Sequence, residues 1–271
     1  MTPQQEQFMG TDWQAIVPRC FDHSIWLSPP AHPRARHDEV HVWRVSLDES
    51  QAPKFEALLD DDERMRAARF RFQEHRNRFI VARGALRTIL GSYLQTEPAE
   101  LQFSYGRYGK PALTGGFAAN AISFNLSHSG KFMLMAVSRG RELGIDLEWI
   151  NQEFATSEVA ERFFSHREIL SLRGQPEYLQ TEAFFNCWTR KEAYIKARGE
   201  GLTLPLDQFD VSLEPSGASL LDNRTEPGEV SRWSLQELHP APAYCAAVAV
   251  EGFSWQLRLL DFNSSTLVVD A

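Results

Sequence analysis

The stretch "FFNCWTRKEAYIKARGEGL", residues 184–202, combines a helical apolar pattern with a carboxylate in an unexpected position. At about 100° of rotation per residue, Phe185, Trp188 and Ile195 share one face of a helix. Glu192 falls on the same face. A buried carboxylate without a partner costs several kcal/mol. The stretch therefore predicts a long core helix and a positively charged partner for Glu192.

A second acidic motif suggests that a metal ion could be this partner. In "GIDLEWI", residues 144–150, strand alternation puts Asp146 and Glu148 on one face, about 7 Å apart at Cα. Together with Glu192 they make three carboxylates without His or Cys, a donor set that suits Mg²⁺ or Mn²⁺. The alternatives are a solvent-facing acidic strand and a simple i,i+4 ion pair between Glu192 and Lys196.

Composition limits the class of protein. The chain has 271 residues, 43% of them hydrophobic and 24% charged, as in a globular protein. It has neither an apolar run of 18 residues nor a basic-then-apolar N-terminus, so we expect no membrane span and no secretory signal. The cysteines, Cys20, Cys187 and Cys245, follow no metal-ligand pattern, which favours a cytoplasmic setting. The net charge of −8 disfavours a nucleic-acid binder.

Positive charge is concentrated in one segment. Residues 64–87 contain eight arginines against one acid, Glu74, which gives +7 there and leaves −15 elsewhere. Such a stripe indicates a local anionic ligand or partner, and the alternative is a solvated helix face.

The order of elements predicts an α+β fold. We expect a strand at 41–47, helices near 53–70 and 74–94, strands in 101–113, 121–130, 131–138 and 144–150, helices in 157–164, 165–174 and 178–198, and strands in 209–213, 232–238, 244–250 and 255–262. Strand, helices and antiparallel strands occur twice in this order. The predicted divisions are an N-terminal extension (1–38), an N-terminal half (39–142) and a C-terminal half (143–271).

Two further motifs carry groups that bind anions. "FNLSHSG", residues 124–130, ends a strand with Ser127 and His128, and "YGKPAL" presents Lys110 between a glycine and a proline. The phosphate-binding G-x-x-x-x-G-K-[ST] loop and the hydrolase G-x-S-x-G turn are both absent from the sequence.

These motifs resemble those of the 4′-phosphopantetheinyl transferases of the surfactin-synthetase type. "GIDLEWI" matches G-[IV]-D-x-E, "WTRKEAYIKARGEGL" matches W-[ST]-x-K-E-[AS]-[FY]-x-K-x-x-G-x-G-L, and "YGKPAL" and "FNLSHSG" match in order. The resemblance covers about residues 40–265. It implies two similar halves related by a pseudo-twofold axis, with coenzyme A in the cleft between them.

The resemblance also implies roles for individual residues. Asp146, Glu148 and Glu192 would hold Mg²⁺ against the pyrophosphate of coenzyme A; Lys196 would contact the phosphate, with Lys191 nearby; Lys110, Ser127, His128, Arg78 and Arg66 would hold the nucleotide phosphates. Glu192, or a metal-bound water that it activates, would take the proton of the attacking serine.

The implied substrates are coenzyme A and apo acyl or peptidyl carrier proteins of fatty-acid, polyketide or nonribosomal-peptide synthesis. The implied state is a monomer, and carrier docking would use the arginine stripe or the segment after the long helix. Two alternatives remain: a metal-dependent nuclease or phosphohydrolase, and a non-catalytic module that binds coenzyme A or a carrier protein. The negative charge disfavours the first, and the complete set of motif carboxylates and lysines disfavours the second.

Overall fold

The computed structural model of the protein describes residues 25–107 and 109–262, apart from the side chain of Leu202. Cys20 and most of the predicted extension therefore lie outside the described residues. The first half contains β1 (Glu39–Ser46), α1 (Ala52–Glu56), α2 (Asp61–Ala68), α3 (Gln73–Leu94), β2 (Phe103–Tyr105), β3 (Pro111–Leu113), β4 (Ile122–Ser129) and β5 (Phe132–Arg139). The second contains β6 (Leu143–Trp149), α4 (Ser157–Phe163), α5 (His166–Arg173), α6 (Glu177–Arg198), β7 (Phe209–Val211), β8 (Leu220–Asn223), β9 (Trp233–Leu238), β10 (Tyr244–Glu251) and β11 (Gln256–Phe262).

The predicted α+β class and both long helices are confirmed, but the single helix predicted over 53–70 is wrong. It is two helices, because Asp60 starts a new one. The Asp60 carboxylate accepts a hydrogen bond from the Glu63 backbone N–H at 2.8 Å, and the Glu63 carboxylate accepts one from the Asp60 N–H at 3.2 Å. This reciprocal cap satisfies two backbone donors at a helix start. The short strand β8 was also not predicted.

Two sheets lie between two layers of helices. One sheet has the order β11-β1-β5-β4 and the other the order β6-β10-β9. Alternate residues of the strands, such as Val42, Ile145 and Val248, form the apolar cluster shared by the two sheets. The remaining residues of the same strands, such as Trp43 and Ala247, pack against α3 or α6. The strands β5 and β10 are buried on both faces, which accounts for their nearly continuous apolar sequences.

The last strand crosses back to the first half. β11 pairs in parallel with β1, so β1 lies between β11 and β5. Residues 256–262 thus complete the sheet of the N-terminal half, although the sequence assigned them to the C-terminal one. Leu27 forms a bridge to Leu260 on the outer side of β11, so part of the predicted extension lies along this sheet.

Helix α6 lies unusually close to β6 at a glycine. A Cβ atom on Gly144 would be 2.2 Å from the backbone nitrogen of Ala197 and 2.3 Å from the carbonyl oxygen of Ala193. Only glycine permits this backbone approach. Asp146 lies two residues further along β6, on the same face, and is therefore directed at the helix.

None of the helices in the described ranges is both long enough and apolar enough to span a bilayer.

We expect Gly144→Ala to lower the free energy of unfolding by about 3 kcal/mol, because its methyl group meets backbone atoms that cannot move independently. Gly228→Ala is the matched control, since a Cβ there has no neighbour within 4 Å. We expect the control to change stability by less than about 0.5 kcal/mol. Urea unfolding of the two variants measures both changes, and equal stabilities would contradict the role assigned to Gly144.

Candidate active site

Polar side chains of β4 join the two sheets at β6. The Asn125 carboxamide oxygen accepts the backbone N–H of Ile145 at 2.9 Å, and the Ser129 hydroxyl accepts that of Trp149 at 3.0 Å. Asn125, Ser127 and Ser129 alternate along β4 and therefore point to the same side. The junction between the two halves is thus built from side-chain hydrogen bonds to a strand that also carries the acidic motif.

Asp146 is at the centre of this junction. Only 3% of its surface is exposed, because α6 covers the face of β6 that carries it. Its Oδ1 accepts hydrogen bonds from Lys196 Nζ at 2.6 Å and from Ser127 Oγ at 2.9 Å. Lys196 Nζ also donates to Ser127 Oγ at 3.0 Å. The structure therefore brings together three of the predicted site residues, and the solvent-facing alternative for Asp146 is wrong.

Glu148 lies two residues after Asp146 on the same face of β6. Its Oε2 accepts a hydrogen bond from Ser129 Oγ at 3.0 Å. Burial, and then the negative charge of Asp146, raise the pKa of Glu148 to about 6. Ser129 was not among the predicted site residues, although its period-2 relation to Ser127 in "SHS" is a usable signal for it.

Glu192 faces the same group from α6. Burial, and then the charge of Asp146, raise its pKa to about 7, while Lys196 acts in the opposite direction. Within the described ranges Glu192 has no ion pair closer than 4.0 Å, so the i,i+4 pair with Lys196 is not formed. Lys196 pairs with Asp146 instead. Glu192 remains a carboxylate whose negative charge is disfavoured by its surroundings.

The surroundings of the carboxylates determine whether they can hold a divalent cation. In the part of the chain that the structure describes, no three His, Cys, Asp or Glu residues stand together as a metal site, and Lys196 supplies the positive charge beside Asp146. However, Asp146 Oδ2 is buried without a hydrogen-bond partner. This orphaned buried oxygen, beside two carboxylates whose pKa values are raised by burial and by the charge of Asp146, fits a hard cation. The donor set therefore suits Mg²⁺.

A cavity of about 300 Å³ opens beside this group. It is lined by residues of both halves: Arg66, Phe79, Arg83, Tyr105, Gly109, Lys110, Pro111, Asn125, Leu126, His128, Ile195, Lys196, Gly199 and Gly201. Four of its polar side chains, those of Arg66, Lys110, His128 and Lys196, were predicted from the sequence. The basic lining makes it suited to an anion.

The arginine stripe contributes two cations to the cavity. The Arg66 guanidinium lies over the Tyr105 ring, 4.8 Å from its centroid, and has no ion pair among the described residues. Arg83 donates to the Tyr105 hydroxyl at 2.8 Å and is held by Glu63, its Nε lying 2.7 Å from Oε1. Arg83 and Tyr105 were not predicted. Arg83 was hidden among eight arginines, and nothing in the local pattern of Tyr105 indicated a site.

Lys110 and His128 also line the cavity. Lys110 Nζ donates to the carbonyl oxygens of Leu143 at 3.3 Å and Lys196 at 3.2 Å, and so ties the first half to β6 and α6. Partial removal of water from the His128 imidazole by the surrounding protein, and then the positive charge of Lys196, lower the pKa of His128. At neutral pH His128 therefore offers a neutral imidazole to the cavity.

Comparison with known proteins agrees with this geometry. The family model "4'-phosphopantetheinyl transferase, N-terminal" matches residues 42–140, and that of the "4'-phosphopantetheinyl transferase superfamily" matches residues 142–249. The 4'-phosphopantetheinyl transferase HetI of Nostoc sp. is 45% identical over 85% of this chain and 95% of its own length. The chain belongs to the 4′-phosphopantetheinyl transferase family.

More distant relatives agree. The 4'-phosphopantetheinyl transferase Sfp of Bacillus subtilis (strain 168) is 32% identical over 63% of this chain and 74% of its own length. A phosphopantetheinyl transferase of Thraustochytrium sp. is 30% identical over 82% of this chain and 80% of its own length. The protein is thus a 4′-phosphopantetheinyl transferase of the Sfp type, as predicted, which uses coenzyme A and acts on carrier proteins. The two family models meet at residues 140–142, and the predicted boundaries of the two halves otherwise stay predictions.

Three predicted ligand residues of the transferase do not line the cavity. The Ser127 hydroxyl is hydrogen-bonded to Asp146 and Lys196 instead. Lys191 is fully buried on the far side of α6, where its Nζ is 2.8 Å from Glu168 Oε2 and donates to the carbonyl oxygen of Phe209 at 2.7 Å. Helix rotation turns it away from Glu192. Arg78 pairs with Glu49 at 3.2 Å and with Glu74, and it is not among the residues that line the cavity.

For Lys191→Met we expect a loss of about 3–5 kcal/mol in the free energy of unfolding, because Glu168 would keep a buried charge without its partner. Lys131→Met, on the surface, is the control and should change stability by less than about 0.5 kcal/mol. Guanidinium unfolding measures both. A Lys191→Met protein of wild-type stability that fails to bind coenzyme A would restore the ligand role that the sequence suggested.

Proposed function

We propose that this transferase moves the 4′-phosphopantetheine arm of coenzyme A onto a serine of an apo acyl or peptidyl carrier protein, with Mg²⁺, and releases 3′,5′-ADP. One observation carries the proposal: Lys196, which lines a basic cavity formed by both halves, is hydrogen-bonded to Asp146, whose charge acts on Glu148 and Glu192. Because a single chain supplies both walls of the cavity, we also propose that it acts as a monomer.

The cavity provides the positive charge that a nucleotide with a pyrophosphate and a 3′-phosphate requires. Arg66 supplies a guanidinium without a competing carboxylate among the described residues, and guanidinium groups bind phosphates in a bidentate manner. His128 adds a hydrogen-bond donor at the strand end. Lys110 is engaged with backbone carbonyls, so its contribution is to hold the cavity wall and to add charge.

The reaction is a phosphoryl transfer. The serine oxygen forms a bond to the β-phosphorus of coenzyme A, and the bond from that phosphorus to the bridging oxygen breaks, which leaves 3′,5′-ADP. Lys196 stands at the junction of the cavity and the carboxylates, where it stabilises charge on the phosphate oxygens. Glu192, which has no ion pair in the described ranges, accepts the serine proton.

Mg²⁺ would be held by Asp146, Glu148 and Glu192, and its chemistry would be neutralisation of the pyrophosphate charge. Asp146 contributes the oxygen that has no other partner. The raised pKa values of Glu148 and Glu192 indicate that these carboxylates are stabilised when a positive charge approaches.

We expect Asp146→Asn and Glu192→Gln each to reduce transfer at least about 100-fold, since each removes a charge at the reaction centre and keeps the side-chain volume. Glu153→Gln, an exposed acid on the same half, is the control. Mass spectrometry of an apo carrier protein incubated with coenzyme A and Mg²⁺ counts the modified fraction. Full activity of either variant would remove that carboxylate from the mechanism. If the wild-type protein also leaves the carrier unmodified, the result favours the binding-module alternative.

Removal of divalent cations should abolish transfer. We expect EDTA to stop carrier modification and excess Mg²⁺ to restore it, with Mn²⁺ as a substitute, because the donors are all carboxylate oxygens. The same mass measurement follows both steps. Undiminished transfer after dialysis against EDTA would contradict the metal requirement.

Arg66→Gln should raise the Kd for coenzyme A about tenfold or more, the effect of losing one charged hydrogen bond. Arg69→Gln is the matched control, because Arg69 is exposed three residues away and does not line the cavity. Calorimetric titration measures both values. Equal Kd values for the two variants would show that the cavity does not hold the nucleotide through Arg66.

A further inference from the structure

Arg198, the last residue of α6, joins three carboxylates. Its Nη1 is 2.7 Å from Glu229 Oε2, its Nη2 is 3.0 Å from Glu226 Oε1, and Nη2 also pairs with Glu200. The Arg198 side chain is 10% exposed. The group also includes the Tyr194 hydroxyl, which lies 3.2 Å from Nη1. A single, largely buried guanidinium at the end of α6 thus neutralises the charges of three carboxylates.

Glu200 has a special position in this group. It lies between Gly199 and Gly201, which both line the cavity and both have positive φ angles, 71° and 57°. Glu200 itself does not line the cavity, because its side chain is directed to Arg198. The turn thus presents glycine backbone to the cavity and keeps its one acidic side chain outside.

The position of the Glu200 carboxylate matters because the basic cavity suits an anionic ligand. An anionic ligand beside Gly199 and Gly201 would be repelled by the Glu200 carboxylate, unless that charge is neutralised and held away. Arg198 is the residue that does both. The motif requires glycine at 199 and 201 but leaves positions 198 and 200 open, so it does not indicate this pair.

We propose that Arg198 is a positioning residue for nucleotide binding: it neutralises Glu200 and holds that carboxylate out of the cavity. This inference rests on the proposed function, because it takes coenzyme A as the anion in the cavity. Arg198 acts through Glu200 and does not touch the ligand.

The test is calorimetric titration of the full chain with coenzyme A. We expect Arg198→Met to raise the Kd about tenfold. The double variant Arg198→Met/Glu200→Gln should return to within about threefold of the wild type, because it removes the charge that Arg198 neutralises. A purely structural role for Arg198 predicts no such rescue. If Arg198→Met does not fold, Arg198→Gln takes its place, since it retains polar atoms in the group and loses only the charge.

Arg232→Met is the matched control. Arg232 pairs with the same Glu229, at 3.2 Å, and with Glu251, at 3.1 Å, but not with Glu200. It should lower the Tm without changing the Kd for coenzyme A. A wild-type Kd for the Arg198 variant, or a double variant as weak as the single one, would overturn the inference while leaving the proposed function intact. A wild-type protein that fails to bind coenzyme A would overturn both.

Discussion

The contact between β6 and α6 at Gly144 is the constraint on which the site depends. The backbone of the helix lies where a side chain of any other residue would stand. This approach covers the acidic face of β6, removes Asp146 from water and places it against Lys196. A carboxylate and an ammonium group thus become neighbours although 50 residues separate them. The raised pKa values of Glu148 and Glu192 follow from the same burial.

The division of labour between the halves follows from this contact. The C-terminal half supplies the carboxylates and Lys196, while the N-terminal half supplies Arg66, Arg83, Lys110 and His128. The side chains of Asn125 and Ser129 accept hydrogen bonds from the β6 backbone, and Ser127 donates one to Asp146. These bonds hold the halves in register at β4 and β6. The acidic residues of one half and the basic cavity residues of the other are therefore fixed relative to each other by a short row of polar side chains.

Much of this could be read from the sequence. Alternation and helical periodicity predicted the strands and both long helices. Of the motif residues, Lys196 contacts Asp146, and the charge of Asp146 acts on Glu148 and Glu192. The errors have local physical causes. The helix over 53–70 was broken by a cap at Asp60, whose effect depends on side-chain geometry rather than on apolar spacing. Lys191 was assigned by proximity in the chain, whereas one step along a helix rotates a side chain by about 100° to another environment. Arg83 required tertiary packing to single it out.

The pairing of β11 with β1 has a consequence for folding during translation. Among the strands of this sheet β1 is synthesised first, but its parallel partner is residues 256–262. The N-terminal half therefore cannot close its sheet until nearly all of the other half has been synthesised. Until then the flank of β1 is an open edge with unpaired backbone groups. The sheet of the first half is therefore completed only when its last strand arrives, late in translation.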